Sequence, residues 1–561
     1  MKRQIRIPGI AGSLRRESYF GIALVMLFAL TTYAQTSDGD WTTYNRTYAG
    51  ERFSPLKQIT TANVGQLRTV CTYDTGETVG FQTGPLVVGG VMYFTTFKNT
   101  YAIDAGTCVL KWKNEHPFGG PEGLGANRGL AYLDGKLFRG ANDGHVFAID
   151  AATGKTVWDV EIADPKRGES VPMAPVAWNG MVFVGNAGGD NFGVTGRVYA
   201  LDAATGKQVW RFETVPDTAT VSSTWAKRSA DNPPTGGALW TTFSIDTSTG
   251  VLYVPTGNAA PDFIEQLHPG ENLYTTSVLA LDSKTGNLLG YIQPIKNDFH
   301  DWDIAAAPAL ITTRAGRKLA ATAGKDGFLY GIDRNGIEQA ANGASRGDGD
   351  AAGSKYGVAG PNAFVVRYQT ETTTHFNTTT PLTSQHSTRF CPGSQGGTEW
   401  NGPAYDPALN LIFVPAVDWC TSVKTAAPER LKGEPGKAWS GIEDGSFGQM
   451  DPKERWRGWV TAIDADTGQV RWKYQSAAPH LAAVTATAGG LVFAANTIGE
   501  VFAFDASNGR VLWQNRIEPN GGGVISYNAG GKQRIAVASG MKSPIWPVQP
   551  KSSRIVVFGL P

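Results

Sequence analysis

The stretch KLFRGANDGHVFAIDAATGKTVW, residues 136–158, decides the fold because it contains one complete repeating unit. Two runs rich in apolar, β-branched and aromatic residues are separated by a Gly-containing turn, and the second run ends at Asp150. Thr153, Gly154 and Trp158 follow. Such runs predict two paired strands. The segment after them predicts a turn in which Asp150 accepts N–H groups and Gly154 supplies a positive φ.

The same unit recurs along the chain. Clear copies occupy residues 91–112, 181–210 and 491–513, and looser copies centre on Asp282, Asp333 and Asp464. A last copy, RIAVASG…RIVVFGLP, lacks the Asp-x-x-Thr-Gly element, which brings the total to eight. One small sheet cannot bury both of its faces, so repeated sheets stack into a closed ring. The sequence therefore predicts an all-β, eight-bladed β-propeller whose repeated Asp, Gly and Trp residues are scaffold.

Two further expectations concern the packing of this ring. Each Trp of the repeat should lie flat on the neighbouring sheet, and the stretch that begins at Trp41 should supply an outer strand to the last blade.

The composition suits this fold, with Gly 69 and Trp 16 among 561 residues. Lys+Arg 50 against Asp+Glu 49 gives a net charge of +1, which offers no electrostatic case for a nucleic-acid partner.

The N-terminal residues predict export. Basic residues up to Arg16 precede an apolar run at residues 19–30, and Thr32 and Ala34 offer a cleavage site. A membrane anchor is the competing interpretation, although the run is shorter than the ~20 residues that span a bilayer. Arg15-Arg16 matches a twin-arginine signal poorly. We expect a signal peptide at residues 1–34, a single propeller domain at residues 35–561 and a periplasmic location.

The four cysteines fit an oxidising compartment. Cys71 and Cys108 flank the first repeat, and Cys391 and Cys420 flank a later one. The expected pairs are therefore Cys71–Cys108 and Cys391–Cys420, each closing a loop within one blade. The chain contains no Cys-x-x-Cys-His motif, so it encodes no covalently attached haem.

A second group of residues departs from the repeat and is expected near the propeller axis. Its members are Arg128, Asp190, Trp240, Asn258, Asp303 and Lys325. Two acids and an amide provide hard oxygen ligands, which suit Ca²⁺. The arginine and the lysine suit a ligand with several carboxylates, and the indole offers a platform for a planar ring.

These residues stand in motifs that resemble the quinoprotein alcohol dehydrogenase family, which uses pyrroloquinoline quinone (PQQ) and Ca²⁺. The resemblance runs from WTTYNRTYAGERFSPLKQIT at Trp41 to the end of the chain, and includes GGALWTTFSID, PTGN, HDWD and TATAGGLVF. It implies that Asp190, Asn258 and Asp303 hold the metal. It implies that Gln82, Arg128, Gly188, Gly189, Trp240 and Lys325 contact the cofactor, with Trp240 under the quinone ring.

The resemblance also implies that Asp303 is the catalytic base that accepts the alcohol proton as hydride passes to PQQ, with the metal as Lewis acid. Asp301 is the alternative base, because an alignment shift of two residues moves the role. Either Asp190 or its neighbour Asn191 faces the metal, because Asn191 has the character of an insertion.

The chain departs from the family pattern around the cofactor. Gln82 stands where the family usually has Glu, and no adjacent cysteine pair precedes Arg128. Glu399-Trp400-Asn401 replaces the usual Asn-Trp, and Leu481 replaces a tryptophan near the mouth of the site. Ala305 lacks the extra acid of the lanthanide-using branch, so Ca²⁺ is the expected metal.

The resemblance implies a periplasmic enzyme that oxidises an alcohol, sugar or polyol. Electrons would then pass to an external acceptor such as cytochrome c or a membrane quinone chain. A non-catalytic, protein-binding propeller of the outer-membrane assembly type is the alternative, and a Ca²⁺-bound sugar-binding propeller is a third. A protein-binding scaffold needs the repeats but does not need Asp190, Asn258, Asp303 and Trp240 to converge, so the enzyme is the favoured hypothesis.

Overall fold

The computed structural model describes residue 1 and residues 39–117, 124–226, 229, 231–337, 364–442 and 447–561. These residues form eight sheets, here called blades 1 to 8, in which four strands follow one another as an antiparallel meander. All eight blades belong to one compact unit. Eight sheets are consistent with the eight repeats, and the all-β propeller predicted from the sequence is confirmed.

The strands of blades 1 to 4 are Leu86–Val88, Val91–Thr95, Asn99–Asp104 and Leu110–Glu115; Ala131–Leu133, Lys136–Gly140, His145–Asp150 and Thr156–Glu161; Val176–Trp178, Met181–Gly185, Arg197–Asp202 and Gln208–Glu213; Ser244–Asp246, Val251–Pro255, Val278–Asp282 and Leu288–Ile292. Those of blades 5 to 8 are Ala309–Thr312, Lys318–Ala323, Phe328–Asp333 and Val365–Glu371; Ala404–Asp406, Leu411–Asp418, Arg457–Asp464 and Val470–Ser476; Thr485–Thr487, Leu491–Ala495, Glu500–Asp505 and Val511–Arg516; Asn520–Ala529, Lys532–Ser539, Arg554–Gly559 and Arg68–Asp74.

The turn chemistry of the repeat is as predicted. The Asp150 carboxylate accepts the Thr153 N–H at 2.8 Å and the Thr153 hydroxyl at 2.7 Å. Gly154 has φ 73°, and a Cβ there would lie 2.7 Å from the Trp112 ring. Trp112 of blade 1 therefore lies on the turn of blade 2, and its indole N–H donates to the Ala151 carbonyl at 3.0 Å. The same contact recurs between later blades at the residues Trp158, Trp210 and Trp472.

Hydrophobic clusters join each blade to the next and close the ring. One cluster spans blades 8, 1 and 2, and another spans blades 2, 3 and 4. Four more join blades 4 to 5, 5 to 6, 6 to 7 and 7 to 8. First strands such as Leu86–Val88 are buried, whereas fourth strands such as Leu110–Glu115 alternate between exposed and half-buried residues. Each blade therefore runs from a buried inner strand to a solvated outer strand.

The N-terminal part of the described chain completes the last two blades. Arg68–Asp74 is the outer strand of blade 8 and pairs with Arg554–Gly559, which confirms the expected contribution of this region. Phe53–Ser54 adds a parallel fifth strand to blade 7. Two smaller sheets lie outside the blades. One is a parallel pair, Gly80–Gly84 with Ala126–Gly129. The other has three strands, Thr388–Phe390, Thr421–Val423 and Gln449–Met450.

Helices in the described residues are short. They are the α-helix Ala219–Ser222 and the 3₁₀ helices Val64–Gln66, Pro165–Arg167, Glu265–Leu267, Pro428–Arg430 and Lys453–Arg455. Within this part of the chain, none has the length and apolar character needed to cross a bilayer. Both expected disulfides, Cys71–Cys108 and Cys391–Cys420, are formed. The predicted export signal at residues 1–34 lies, apart from residue 1, outside the described residues, and it stays a prediction.

Candidate functional site

The loops at one end of the ring carry the residues that depart from the repeat. In an antiparallel sheet, the first strand begins at the edge where the second strand ends, so both connections lie on one face. Asp190, Asn258 and Lys325 follow the second strands of blades 3, 4 and 5. Trp240 and Asp303 precede the first strands of blades 4 and 5. The topology thus brings loops from neighbouring blades to the same end.

These loops enclose a cavity of about 490 Å³. All nine residues that the sequence assigned to the site line it: Gln82, Arg128, Gly188, Gly189, Asp190, Trp240, Asn258, Asp303 and Lys325. Residues separated by more than two hundred positions therefore share one cavity. Their roles toward a metal or a cofactor remain predictions.

The three predicted metal ligands are close to one another. The Asn258 backbone N–H donates to Asp303 Oδ1 at 2.8 Å. The Asn258 side-chain amide donates to the Ala259 carbonyl and to Asp262 Oδ1, each at 3.0 Å. Both amide hydrogens are thereby engaged, and Oδ1 of Asn258 remains as the oxygen that could face a cation. Burial and the charge of Asp303 raise the pKa of Asp190 to about 6.

Lys325 is the cation nearest to this group of carboxylates. Its Nζ lies 3.1 Å from Asp301 Oδ1 and 3.3 Å from Asp303 Oδ2, and all three side chains are almost fully buried. Burial lowers the pKa of a lysine, but the two aspartates outweigh it, and the pKa of Lys325 is raised. Burial raises the pKa of Asp301, despite the opposing charge of Lys325. Both candidate bases thus contact the same ammonium group, so these contacts do not decide whether Asp303 or Asp301 is the catalytic base.

Arg128 contacts two indole rings in the cavity wall, and these two rings also contact each other edge to face. Its guanidinium carbon is 4.6 Å from the ring centroid of Trp240 and 4.9 Å from that of Trp400, and Nη1 donates to the Trp240 carbonyl at 3.0 Å. Burial lowers the pKa of Arg128 to about 10, so the side chain is charged at neutral pH. Cation–π contacts of this kind hold both the cation and the ring in place. Trp240 keeps partial exposure, as a stacking platform requires.

Several buried polar atoms in the cavity wall have no hydrogen-bond partner among the described residues. They are Gln82 Oε1, Arg128 Nε, Asp301 Oδ2 and Glu399 Oε1. An unpaired buried polar atom costs about 1–3 kcal/mol, so such atoms mark places where a ligand completes the structure. Two cations, an indole face and unpaired donors and acceptors fit a planar, carboxylate-bearing cofactor such as PQQ.

The donor chemistry also fits a metal ion, although no ready-made site is present. Within the described ranges, no three His, Cys, Asp or Glu side chains are grouped as metal ligands. The predicted set contains only two carboxylates, with the Asn258 amide as the third ligand. Hard oxygen donors of this kind suit Ca²⁺ and similar cations. Buried carboxylates that repel one another gain most from such an ion.

The two glycines have a more local role than the sequence suggested. A Cβ on Gly188 would lie 2.3 Å from the Gly168 carbonyl oxygen, and one on Gly189 would lie 2.8 Å from the Ala238 Cβ. Gly188 also has φ 106°. Both glycines are therefore required by packing between loops, whether or not a cofactor approaches them.

The structure also addresses the other open positions. The Asn191 side chain donates to the Gly168 carbonyl at 3.0 Å, and both Asp190 and Asn191 line the cavity, so the choice of Asp190 as the metal ligand stays a prediction. Leu481 does not line the cavity but packs in a cluster with Trp400 and Trp546.

Sequence reasoning missed Asp262 and noted the second indole, Trp400, only as part of a departure from the family pattern, although both line the cavity. Asp262 lies in the insertion at residues 259–272, which has no counterpart in the repeat. The acid four residues after Asn258 was the only available signal.

Glu399 gives the first testable prediction. Burial raises the pKa of its carboxyl from 4.5 to about 7. Between pH 4.5 and about pH 7 the folded, ligand-free protein therefore retains a proton that the unfolded chain releases. The stability that this proton gives is lost as the pH rises through this range. Glu399→Gln removes the titration, so it should be more stable than the unmodified protein at pH 8, by up to about 3 kcal/mol, and equal to it at pH 4.5.

Denaturant unfolding of metal- and cofactor-free protein at both pH values measures this difference. Glu161→Gln, at an exposed carboxylate on the outer strand of blade 2, serves as the control and should show no gain at pH 8. An equal effect of Glu399→Gln at the two pH values would contradict the assignment.

A closed ring of small sheets with a charged, partly aromatic cavity at one end defines a propeller of the cofactor-binding class. The family profile described as "Glucose/ethanol/alcohol dehydrogenase, beta-propeller domain" matches residues 41–337. A quinohemoprotein alcohol dehydrogenase, ADH-IIG of Pseudomonas putida, is 30% identical over 552 residues, covering 90% of this chain and 73% of that protein. The chain therefore belongs to the PQQ-dependent alcohol dehydrogenase family, a family of oxidoreductases.

Other comparisons agree with this membership. A lanthanide-dependent methanol dehydrogenase of Methylacidiphilum fumariolicum (strain SolV) is 29% identical, covering 90% of this chain and 85% of that protein. The solved structure of ADHIIG from Pseudomonas putida HK5 matches with a TM-score of 0.78 and 28% identity, over 93% of this chain and 80% of that one. The solved structure of a europium-containing methanol dehydrogenase matches with a TM-score of 0.76 and 26% identity, over 93% of this chain and 98% of that one.

A second profile, for the outer membrane protein assembly factor BamB, matches residues 457–544. This segment belongs mainly to blades 6 to 8 and includes only Ser543 among the residues that line the cavity. The likeness to an assembly factor therefore concerns the scaffold and leaves the cavity unexplained.

Proposed function

We propose that the protein is a periplasmic dehydrogenase that oxidises the CH–OH group of an alcohol, sugar or polyol with PQQ and a metal ion. The observation that carries this proposal is the single cavity that joins Asp303 and Lys325 to Arg128 and Trp240. Family membership supports the cofactor. Ala305 favours Ca²⁺ as the metal.

When bound, the cofactor would accept the two electrons, and the metal ion would act as the Lewis acid. Asp303 accepts the hydroxyl proton of the substrate. Lys325 holds the Asp303 carboxylate in place at 3.3 Å and stabilises its charge. Arg128 and Trp240 orient the cofactor, and Gln82 and Glu399 line the same cavity. The walls that Trp400 and Trp546 contribute limit the access of water.

Electrons would leave to an external acceptor, either a cytochrome c or a membrane quinone chain. The periplasmic location follows from the predicted export signal and agrees with the two disulfides. A scaffold that binds only proteins would need the repeats, but it would have no use for buried carboxylates around a lysine.

A cofactor titration tests the proposal. With Ca²⁺ present, PQQ at about one hundred times its Kd should stabilise the protein by about 2.7 kcal/mol, which raises Tm measurably. Benzene-1,3,5-tricarboxylate, a planar tricarboxylate without a quinone, is the control and should give a smaller shift. The loaded protein should then reduce an artificial electron acceptor with a primary alcohol or a sugar. A Tm that saturating PQQ leaves unchanged would contradict the cofactor assignment.

A further inference from the structure

Asp262 is a buried acid beside the proposed metal ligands that no motif assigns. It is 1% exposed, lines the cavity and accepts the Asn258 side-chain amide at 3.0 Å. Its loop is fixed on both sides: Phe263 N–H donates to the Ser440 carbonyl, and the His268 ring contacts the Pro261 carbonyl. A carboxylate held rigidly at this place acts on any cation that Asn258 binds.

The charge around the site exceeds what a divalent ion neutralises. Four aspartates line this part of the cavity, Asp190, Asp262, Asp301 and Asp303, and Lys325 is the ammonium that pairs with two of them. Burial favours the protonated acids in the absence of a cation, but a cation that displaces these protons meets four negative charges and one positive charge, an excess of three negative charges. A divalent ion reduces this excess to one, and a trivalent ion removes it. Asp301 Oδ2, which is buried and has no hydrogen-bond partner in the described part of the chain, is a further oxygen that a cation could use.

We propose that Asp262 enables this site to hold a trivalent cation as well as Ca²⁺, and that it sets the relative affinity for the two ions. The inference rests on the proposed function, because it assumes that a metal binds at Asp190, Asn258 and Asp303. Asp262 acts in two ways. Its charge attracts the cation, and its hydrogen bond to Asn258 directs the amide oxygen toward the ion.

Coulomb energy is proportional to the product of the charges, so the loss of one carboxylate costs a trivalent ion one and a half times as much as a divalent ion. If Asp262→Asn lowers the affinity for Ca²⁺ about tenfold, it should lower the affinity for La³⁺ about thirtyfold. The asparagine side chain keeps an oxygen that can accept the Asn258 amide, so this variant removes the charge alone. Asp262→Ala removes both the charge and the hydrogen bond and should weaken the binding of both ions further.

Calorimetric titration of metal-depleted protein with Ca²⁺ and with La³⁺ tests the inference without any assay of activity. The unmodified protein should bind La³⁺ more tightly than Ca²⁺, and Asp262→Asn should reduce the ratio of the two affinities by about threefold or more. Asp406→Asn is the control, because Asp406 is a buried acid of blade 6 that does not line the cavity. It should leave the ratio unchanged.

Two results would overturn the inference while leaving the proposed function intact: Ca²⁺ binds but La³⁺ does not, or Asp262→Asn weakens both ions by the same factor. If neither ion binds, the metal site itself is wrong and the proposed function fails with it. Circular dichroism of each variant checks that the protein is folded, so that a loss of binding is not caused by unfolding.

Discussion

Replacing Asp303 by Asn should reduce kcat by about a thousandfold at saturating metal and PQQ, because the variant loses the group that accepts the substrate proton. The substitution preserves shape, and the new amide oxygen can still accept the Asn258 backbone N–H that now lies 2.8 Å from Asp303 Oδ1. Loss of activity would therefore reflect the missing charge and base rather than a collapsed loop. Steady-state reduction of an artificial acceptor measures the change.

Asp301→Asn is the matched comparison, because Asp301 is equally buried and contacts the same Lys325 ammonium at 3.1 Å. We expect this variant to retain a substantial part of the activity, since it leaves the proposed base, Asp303, and the contact of Asp303 with Lys325 in place. If Asp301→Asn abolishes turnover while Asp303→Asn keeps more than about a tenth of it, the base has been assigned to the wrong aspartate. Comparing PQQ affinity in both variants separates a defect in chemistry from one in binding.

The second large effect is expected at the indole platform. Trp240→Ala should weaken PQQ binding by about a hundredfold, or about 2.7 kcal/mol, because a buried aromatic contact is lost and Arg128 loses one of its two stacking partners. The apoprotein should remain folded, since Trp240 is only partly buried and lies in a loop rather than in a blade. Fluorescence or calorimetric titration with PQQ measures the affinity.

Trp158→Ala should show the opposite pattern, a loss of stability without a loss of PQQ affinity. Trp158 packs on Gly206 of the next blade and donates its indole N–H to the Ala203 carbonyl at 3.2 Å, away from the cavity. Its loss should lower Tm by several degrees and leave PQQ affinity unchanged. The two tryptophans thus separate a ligand-binding role from a packing role. Equal effects of both variants on PQQ affinity would show that Trp240 is scaffold.

The repeat was predictable because its local signals agree with its tertiary role. Asp150, Gly154 and Trp158 recur at fixed spacing, and the turn hydrogen bonds and the contact between blades follow directly from these residue types. The strand Phe53–Ser54 was not predicted, because its parallel pairing with blade 7 depends on closure of the ring rather than on any local pattern.

The site was predictable where motifs mark it and less so elsewhere. Asp303 and Asn258 stand in short motifs, and the cavity brings them together as expected. Asp262 belongs to an insertion, so only its contact with Asn258 reveals its place. Glu399 could be noticed in the sequence as a departure, but its unpaired oxygen and the shift of its pKa to about 7 depend on burial by other blades.

The pairing of Arg68–Asp74 with Arg554–Gly559 has a consequence for biosynthesis. Blade 8 takes its outer strand from near the start of the chain and its other three strands from the end, so this sheet cannot form until residue 559 has been synthesised. Until then the early strand has an unpaired edge, which invites association with other chains. Completion of blade 8 should therefore be a late step in the folding of the newly made chain.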